Sequence, residues 1–419
     1  MTETPKTQEL PSLADAGWLR APATQSVFAA LAAAGHAARA VGGAVRNAAL
    51  GLPVTDIDIA TPALPDAVMT AARAAGLKVV PTGLEHGTMT VVSGGQGFEV
   101  TTLRRDVATD GRRAVVAFTT DWAEDAQRRD FTMNALYCSA DGTVHDPLGG
   151  SADLMARRVR FIGDAEARIR EDYLRILRFF RMHAMYGRGE IDRAGCRACA
   201  RQVAGLTRLS GERVQAEMQR LMRAGGVCEA VAAMEAYGIL PVLLGLAPRP
   251  GVLRALVSAE TELGVAPDPI LRLSALLLAV DEDAARVAET LKLSTADRMA
   301  LLVLDDRLAE AMSDLDDRAA RRRLFALGEG SWRRHVVAAA ALRPERLDEF
   351  KALHGLPERW PVPRLPVSGR DVLALGVAAG PEVGGFLAEL EAWWIDQDFP
   401  PESRVRAHLE TLAAARKGR

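Results

Sequence analysis

The stretch Thr55-Asp56-Ile57-Asp58-Ile59-Ala60 decides the fold of the N-terminal part of this 419-residue chain. Threonine and isoleucine favour strands because their branched side chains are stiff at χ1. Alternate residues of a strand share a face, so Asp56 and Asp58 should project together while Ile57 and Ile59 enter a core. Two carboxylates on one side of a strand predict a site for a hard divalent cation.

The residues before this strand predict a phosphate site beside it. Ala40-Val41 is typical of a strand end, Gly42-Gly43 of a tight turn, and Ala44 to Leu50 of a short helix. A helix N-terminus that follows glycines is suited to phosphate binding. The alternative is a surface strand that happens to carry two aspartates. Because aspartate is depleted in strands, we favour metal and triphosphate chemistry.

Length and composition limit the classes of protein to consider. A chain of 419 residues predicts two to four domains, and its net charge of −2 does not by itself indicate nucleic acid. Residues 151–225, however, hold 16 arginines, no lysine and nine acidic residues, for a net charge of +7. This local excess predicts a phosphate-rich partner.

The four cysteines are too few for a disulfide scaffold in a chain of this length. Cys196 and Cys199 form a single CxxC pair within a predicted helix, so a structural role is favoured over zinc binding. The N-terminus lacks a signal-peptide pattern, and no run of 18 apolar residues is present. We therefore expect a cytoplasmic protein with no membrane partner; its oligomeric state is unknown from the sequence.

Short strands follow the acidic strand, which predicts an α+β unit with a mixed or antiparallel sheet. Glu99 alternates with Phe98 and Val100 and faces away from both. It is either a third acid near the metal or an ordinary outward-facing residue, and the sequence leaves both open. Residues 104–121 are rich in charge and are predicted to form a mobile loop.

From about residue 151 the chain is predicted to be all-helical. One helix is expected from about Ala165 to Tyr186, ending at Gly187. At about 100° per residue, one of its faces carries an acid followed by three arginines: Asp172, Arg175, Arg178 and Arg181. This face is either solvated, with one intrahelical ion pair, or a nucleotide-binding face. Aligned arginines repel one another unless anions lie on them, so we favour nucleotide binding.

Several motifs in order give the chain a family resemblance. They are Gly42-Gly43-Ala44-Val45-Arg46, Asp56-Ile57-Asp58, Arg128-Arg129-Asp130-Phe131-Thr132, Asp146-Pro147-Leu148-Gly149-Gly150, Glu171-Asp172-Tyr173-Leu174-Arg175 and Leu209-Ser210-Gly211-Glu212-Arg213. With them the chain resembles the class II tRNA nucleotidyltransferases, which include bacterial CCA-adding enzymes and poly(A) polymerase relatives within the polymerase-β-like superfamily. The last motif is also interpreted here as the start of a structural helix.

The resemblance implies an α+β fold with a small polymerase-β-like nucleotidyltransferase head, followed by an all-helical neck, body and tail. The expected divisions are an N-terminal lead-in at 1–23, the head at 24–150, a nucleotide- and RNA-binding neck at 151–225, a body at 226–330 and a tRNA-binding tail at 331–419.

The resemblance also implies roles for individual residues. Asp56 and Asp58 would be the catalytic metal ligands, with Mg²⁺ as the cofactor. The residues implied as nucleotide contacts are Gly43, Arg46 and Arg129 for the triphosphate and sugar, and Asp172, Arg175, Arg178 and Arg181 for the neck face that selects the incoming nucleotide.

The resemblance implies template-independent addition of C, C and A to the 3′ end of tRNA from CTP and ATP, with release of pyrophosphate. A basic strand usually follows the acidic motif in poly(A) polymerases of this type, whereas this chain has Gly83-Leu84-Glu85-His86-Gly87-Thr88. The alternatives are a poly(A) polymerase, an enzyme that adds only CC or only A, and, in a different class, a non-catalytic tRNA-binding protein. The intact pair of aspartates argues against the last.

Overall fold

The computed structural model describes residues 10–84, 87–110 and 113–417, and of residues 106–110, 113–116, 281 and 416–417 it describes only the backbone. The chain divides into two compact units. The first comprises Met1–Pro248 and Glu289–Leu293, and the second comprises Arg249–Ala288 and Ser294–Arg419. Glu85 and His86, which contribute to the predicted difference from poly(A) polymerases, lie outside the described residues.

A mixed sheet forms the centre of the first unit. Within the described residues it has seven strands in the order β3-β4-β5-β2-β1-β8-β9. These strands are β1 (Arg39–Val41), β2 (Asp58–Thr61), β3 (Lys78–Gly83), β4 (Thr88–Ser93), β5 (Gln96–Thr102), β8 (Tyr137–Cys138) and β9 (Val144–His145). Strands β2 and β5 are parallel, and the other neighbours are antiparallel. The predicted α+β class is confirmed.

Helices surround this sheet and continue beyond it. In the first unit they are α1 (Gly17–Arg20), α2 (Pro22–Ala33), α3 (Gly43–Ala49), α4 (Pro65–Ala74), α5 (Trp122–Gln127), α6 (Gly150–Met155), α7 (Ala165–Glu171), α8 (Leu174–Tyr186), α9 (Arg193–Arg201), α10 (Gly211–Arg223), α11 (Val227–Ala236) and α12 (Ile239–Leu244). Thus α1 and the start of α2 lie within the predicted lead-in.

The acidic stretch lies at the start of β2. Ile57 and Ile59 are buried, as predicted, whereas both aspartates are exposed. The strand is shorter than predicted, because it begins at Asp58 and leaves Asp56 in the preceding loop. Strand β1 ends at Val41, which pairs with Asp58, so the residues before Asp58 have no pairing partner in β1.

Residues 104–121 are not the charged loop that the sequence predicted. They contain an antiparallel hairpin of β6 (Arg104–Asp110) and β7 (Arg113–Phe118). The loop prediction weighed the charges at 104–106 and 110–113 and overlooked the apolar run Ala114-Val115-Val116, whose β-branched valines favour a strand. Gly111 and Arg112 lie outside the described residues.

The long helix predicted from Ala165 to Tyr186 is two helices, α7 and α8. Asp172 interrupts them with an extended backbone, at φ −154° and ψ 106°. Its carboxylate accepts a hydrogen bond from the backbone N–H of Leu174 at 3.1 Å, at the start of α8. A short acidic side chain that bonds to a nearby N–H competes with the helical backbone, which explains the break. The predicted arc of four side chains on one continuous helix is therefore wrong.

The second unit is helical throughout its described residues. Its helices are α13 (Pro250–Glu262), α14 (Pro269–Leu277), α15 (Asp281–Thr290), α16 (Thr295–Leu301), α17 (Asp306–Met312), α18 (Asp317–Leu342), α19 (Leu347–His354), α20 (Leu356–Arg359), α21 (Gly369–Ala374), α22 (Pro381–Asp396) and α23 (Glu402–Lys417). The predicted boundary between body and tail falls within α18, two residues after a non-helical Gly328. The finer division into neck, body and tail stays a prediction.

None of the helices in the described part of the chain combines the length and the apolar character that a membrane span requires.

Candidate active site

Three acidic side chains lie at the start of β2 and on its neighbour. Asp58 is the direct partner of Glu99 in the parallel pair of β2 and β5, so their side chains share a face of the sheet. The pKa of Asp58 is raised above its usual value, first by loss of hydration and then by the charges of Glu99 and Asp56, while Arg129 opposes this rise. The start of β2 therefore concentrates negative charge.

Within the described residues, no group of three or more His, Cys, Asp or Glu side chains is arranged to hold a metal ion. Glu99 thus lies beside Asp58 without forming a three-carboxylate cluster. Asp56 and Asp58 remain a suitable donor pair for Mg²⁺, which is usually bound by one or two carboxylates together with substrate phosphates and water.

The glycine turn between β1 and α3 lies close to the side chain of Arg129 and the backbone of Asn134. Gly42 has a φ of 70°, which favours glycine, and Gly43 begins α3. A β-carbon at Gly42 would meet Nη1 of Arg129 and the carbonyl oxygen of Asn134, each at 3.7 Å. The turn thus allows Arg129 to approach the backbone closely.

Arg46 on α3 is buried, with 8% of its surface exposed. Its Nη1 donates to Asn134 Oδ1 at 2.5 Å, and its Nη2 donates to the hydroxyl of Tyr186 at 2.8 Å. Nε and Nη2 also donate to the side chain of Asn47. These contacts fix the guanidinium plane in one orientation.

Asp125 on α5 holds the arginine pair of the third motif. Its carboxylate is 1% exposed and accepts from Arg128 Nε at 2.8 Å and from Arg129 Nη2 at 3.0 Å. The hydroxyl of Tyr137 donates to the same carboxylate at 2.7 Å. Burial alone would raise the pKa of Asp125, but the charges of Arg129 and Arg128 and the Tyr137 hydrogen bond hold it below its usual value.

Asp130 links the head to α8. Arg178 donates to Asp130 Oδ2 from Nε at 2.8 Å and from Nη2 at 2.5 Å, and Asn134 Nδ2 donates to Oδ1 at 2.9 Å. Burial would raise the pKa of Asp130, but the charge of Arg178 and these hydrogen bonds lower it to about 2. The carboxylate is therefore ionised at neutral pH.

Asp172 is held from two sides in the gap between α7 and α8. Leu174 N–H donates to its Oδ1, and Arg213 Nη2 on α10 donates to its Oδ2 at 2.7 Å. Arg175 is held separately, because its Nη1 donates to Glu171 at 2.5 Å. Asp172 and Arg175 therefore do not form the intrahelical ion pair that the sequence analysis kept as an alternative.

Arg181 is bound by a different carboxylate. It is 8% exposed, and its Nε donates to the buried carboxylate of Glu217 on α10 at 2.5 Å. The anions that neutralise the three arginines of α8 are thus protein carboxylates, Glu171, Asp130 and Glu217. This explains how the row is stable without a bound ligand.

A cavity of about 400 Å³ collects most of these residues. Its lining residues are Gly42, Gly43, Arg46, Asp58, Arg128, Arg129, Asp130, Asn134, Asp172, Leu174, Arg175, Arg178 and Arg213. Seven of the nine sequence-predicted site residues line it, whereas Asp56 and Arg181 do not.

Four polar lining side chains were not predicted as site residues, namely Arg128, Asp130, Asn134 and Arg213. The first three lie in or next to the Arg128–Thr132 motif, so the motif was a signal that could have found them. Arg213 ends the Leu209–Arg213 motif, which the sequence analysis interpreted as structural. Asp125 lies outside all the motifs, and no sequence signal pointed to it.

Several known proteins are similar to this chain in sequence. Residues 38–160 match the family model described as Poly A polymerase head domain. The chain is 35% identical over 396 residues to CCA tRNA nucleotidyltransferase 1, mitochondrial, of Mus musculus, with 90% of this chain and 88% of the mouse protein covered. The Homo sapiens protein of the same name is 33% identical over 379 residues, with 88% and 85% covered.

A solved structure supports the same assignment. The crystal structure of the Bacillus stearothermophilus CCA-adding enzyme in complex with CTP matches with a TM-score of 0.72 and 28% identity, covering 95% of this chain and 99% of that chain. The mixed sheet, the glycine turn and the acidic strand are those of a polymerase-β-like nucleotidyltransferase. The chain belongs to the family of CCA tRNA nucleotidyltransferases, so the predicted enzyme class is confirmed.

Proposed function

We propose that this chain adds C, C and A to the 3′ end of tRNA, with CTP and ATP as substrates, without a nucleic-acid template and with release of pyrophosphate. The observation that carries the proposal is the cavity lined by both Asp58 and the pair Asp172 and Arg175. The carboxylate proposed to hold the metal and the groups proposed to contact the nucleobase therefore line the same cavity.

The triphosphate and sugar contacts would come from Gly43, Arg46 and Arg129. Arg129 presents a guanidinium that Asp125 holds in place beside the glycine turn. Arg46 already donates to three protein side chains, so it would act mainly through its charge and its placement. Fixed positive charge around a transferring phosphoryl group is the main source of catalysis in such reactions.

Asp56 and Asp58 would hold two Mg²⁺ ions. When bound there, one ion would activate the 3′-hydroxyl and the other would neutralise charge on the leaving pyrophosphate. The chain's own part is to hold the Asp58 carboxylate at the wall of the cavity. Asp58 is anchored for this by the β2 backbone, which pairs with both β1 and β5.

Asp172 and Arg175 would select the base. Cytosine and adenine both present an amino donor beside a ring-nitrogen acceptor, which suits a carboxylate next to a guanidinium. Uracil and guanine reverse both positions, and each reversed contact would leave polar groups unpaired at a cost of roughly 1–3 kcal/mol. Each carboxylate oxygen of Asp172 has a second lone pair, so its bonds to Leu174 and Arg213 still allow it to accept from a base.

Arg178 and Arg181 complete the proposed nucleotide-binding set, with different contributions. Arg178 lines the cavity and is 32% exposed at its side chain, so it can reach a ligand while bonded to Asp130. Arg181 would act by fixing α8 to α10 through Glu217. The neck as an RNA-binding segment and the tail as a tRNA-binding segment belong to the same proposal.

The test uses three tRNA transcripts that end before C, after the first C and after CC. Each is incubated with Mg²⁺ and with CTP and ATP together, and the 3′ ends are sequenced. We expect all three to finish at CCA and to stop there. Products that stop at CC would indicate a CC-adding enzyme, long A tails a poly(A) polymerase, and no extension a non-catalytic binder.

A cytoplasmic location is likewise a proposal. The mouse and human relatives are named mitochondrial. Fractionation of cells that express the chain, with tRNA nucleotidyltransferase activity measured in each fraction, tests the location.

A further inference from the structure

Tyr186 lies outside the cavity but is bonded to a residue that lines it. It is the last residue of α8 and is 8% exposed. Its hydroxyl accepts from Arg46 Nη2 at 2.8 Å, and the guanidinium carbon of Arg46 lies 4.0 Å from the centre of its ring. Tyr186 therefore receives both a hydrogen bond and a cation–π contact from the same arginine.

These contacts close a ring of buried polar groups between the head and α8. From Tyr186 the ring passes to Arg46, then to Asn134 Oδ1 at 2.5 Å, and from Asn134 Nδ2 to Asp130 at 2.9 Å. It returns to α8 through Arg178, which donates twice to Asp130. Apart from Arg178, the members of this network are buried, and such a connected set of hydrogen bonds restricts its members to few arrangements.

This ring of hydrogen bonds contacts α8 at two separate residues. Arg178 and Tyr186 are eight residues apart, which is about 12 Å along a helix axis. A single anchor would let the helix pivot, whereas two anchors fix its direction. The partners of these two residues lie outside α8: Arg46 is in α3, and Asp130 and Asn134 follow α5.

The direction of α8 matters for the proposed selection of the base. The helix begins at Leu174, two residues after Asp172, and carries Arg175, whereas α3 begins at Gly43 beside the proposed triphosphate site. Fixing α8 against α3 therefore fixes the distance from the phosphate contacts to the base contacts. A misplacement of about 1 Å in such a constellation is enough to cost roughly a hundredfold in rate.

We propose that Tyr186 is a positioning residue for nucleotide selection: with Arg46, it holds α8 so that Asp172 and Arg175 meet the base of a nucleoside triphosphate whose phosphates lie at Gly43. This inference rests on the proposed function, in which these two side chains select the base. It assigns Tyr186 no contact with the nucleotide.

A merely structural tyrosine predicts a different result from a positioning one. If Tyr186 only stabilised the fold, its loss would lower the amount of active enzyme and change kcat/KM for all four nucleotides in the same proportion. A positioning role predicts altered ratios, because correct and incorrect bases depend differently on the placement of Asp172 and Arg175. The ratios of kcat/KM for CTP over UTP and for ATP over GTP are therefore the decisive readouts.

Two variants and one control separate these cases. Tyr186→Leu removes the ring and the hydroxyl, and Tyr186→Phe removes only the hydroxyl. We expect Tyr186→Leu to lower the CTP/UTP ratio roughly tenfold and Tyr186→Phe to lower it about threefold, with KM for tRNA unchanged. Phe180→Leu is the control, since Phe180 is fully buried on the same helix and packs on Phe179. It should lower the melting temperature and leave both ratios unchanged.

The inference is overturned if folded Tyr186→Leu keeps both ratios within about twofold of wild type, or if Phe180→Leu shifts them equally. If Tyr186→Leu does not fold, Tyr186→Phe decides, because it keeps the packed ring. A failure of the proposed function would look different. In that case the wild-type enzyme itself would show no preference for CTP over UTP.

Discussion

Arg213 Nη2 lies 2.7 Å from Asp172 Oδ2, although 41 residues separate the two in sequence. The other oxygen of Asp172 accepts from Leu174 N–H, so the protein's own groups hold the carboxylate in one orientation. Preorganisation of this kind reduces the cost of ordering a side chain when a ligand binds. Arg213 is the group through which α10 contributes to the proposed selection of the base.

The first prediction concerns this ion pair. Arg213→Gln keeps a donor but removes the charge, so Asp172 should become less well fixed and KM for CTP and ATP should rise roughly tenfold. Steady-state kinetics at saturating tRNA measure the effect. Arg223→Gln is the matched control, because Arg223 is exposed on the same helix. An unchanged KM in Arg213→Gln would show that Asp172 is oriented without it.

The second prediction concerns the acidic strand. Asp56→Ala and Asp58→Ala should each abolish Mg²⁺-dependent incorporation of labelled nucleotide, while tRNA binding survives, because the metal would act in the transition state. Glu99→Gln is the comparison variant and should retain activity within about threefold, since Glu99 faces Asp58 without joining a metal cluster. Equal losses of tRNA affinity and activity in the aspartate variants would argue against a metal role.

The third prediction concerns Asp125. In Asp125→Asn the amide replaces a charged acceptor that serves both Arg128 and Arg129, so we expect kcat/KM for CTP to fall about 10- to 100-fold. Tyr137→Phe removes a single hydrogen bond to the same carboxylate and should have a smaller effect. A drop in melting temperature with unchanged nucleotide kinetics would make Asp125 structural only.

The fourth prediction concerns pH and stability. The pKa of Asp130 is about 2 in the folded protein, against an ordinary value of 3.8. A carboxylate whose pKa falls on folding stabilises the folded state above its unfolded pKa, and this contribution is lost as the pH falls through the folded pKa. The free energy of unfolding of wild type, relative to Asp130→Asn, should therefore shrink by about 2 kcal/mol between about pH 5 and pH 2.

Urea unfolding at stepped pH measures this difference. Asp146→Asn gives a comparison, because the Asp146 carboxylate accepts only from the backbone N–H groups of Gly150 and Ser151 among its described contacts. If the difference in the free energy of unfolding between wild type and Asp130→Asn stayed constant down to pH 2, the lowered pKa of Asp130 would be contradicted.

The acidic strand and the glycine turn were predictable because their signals are local. Alternation of Asp56, Ile57, Asp58 and Ile59 places side chains on opposite faces wherever the strand pairs. The extent of the strand was not predictable, since it depends on where β1 turns away at Gly42.

The interruption at Asp172 was missed for a physical reason. Apolar residues with helical spacing continue across it, and that periodicity does not register a side chain that bonds to a backbone N–H two residues later. The partners of the arginines were missed because they are distant in sequence: Asp130 is 48 residues from Arg178, and Glu217 is 36 residues from Arg181. Ion pairs of this span are set by the tertiary fold.

The interruption between α7 and α8 also constrains how this chain can evolve. One carboxylate, that of Asp172, both bonds to the first turn of α8 and faces the space proposed for the base. A mutation of Asp172 that altered the choice of nucleotide would also remove its hydrogen bond from Leu174 N–H at the start of α8, at a cost of about 0.5–1.5 kcal/mol for a typical hydrogen bond. Evolution toward a different nucleotide preference at Asp172 would therefore also have to compensate for this loss of stability.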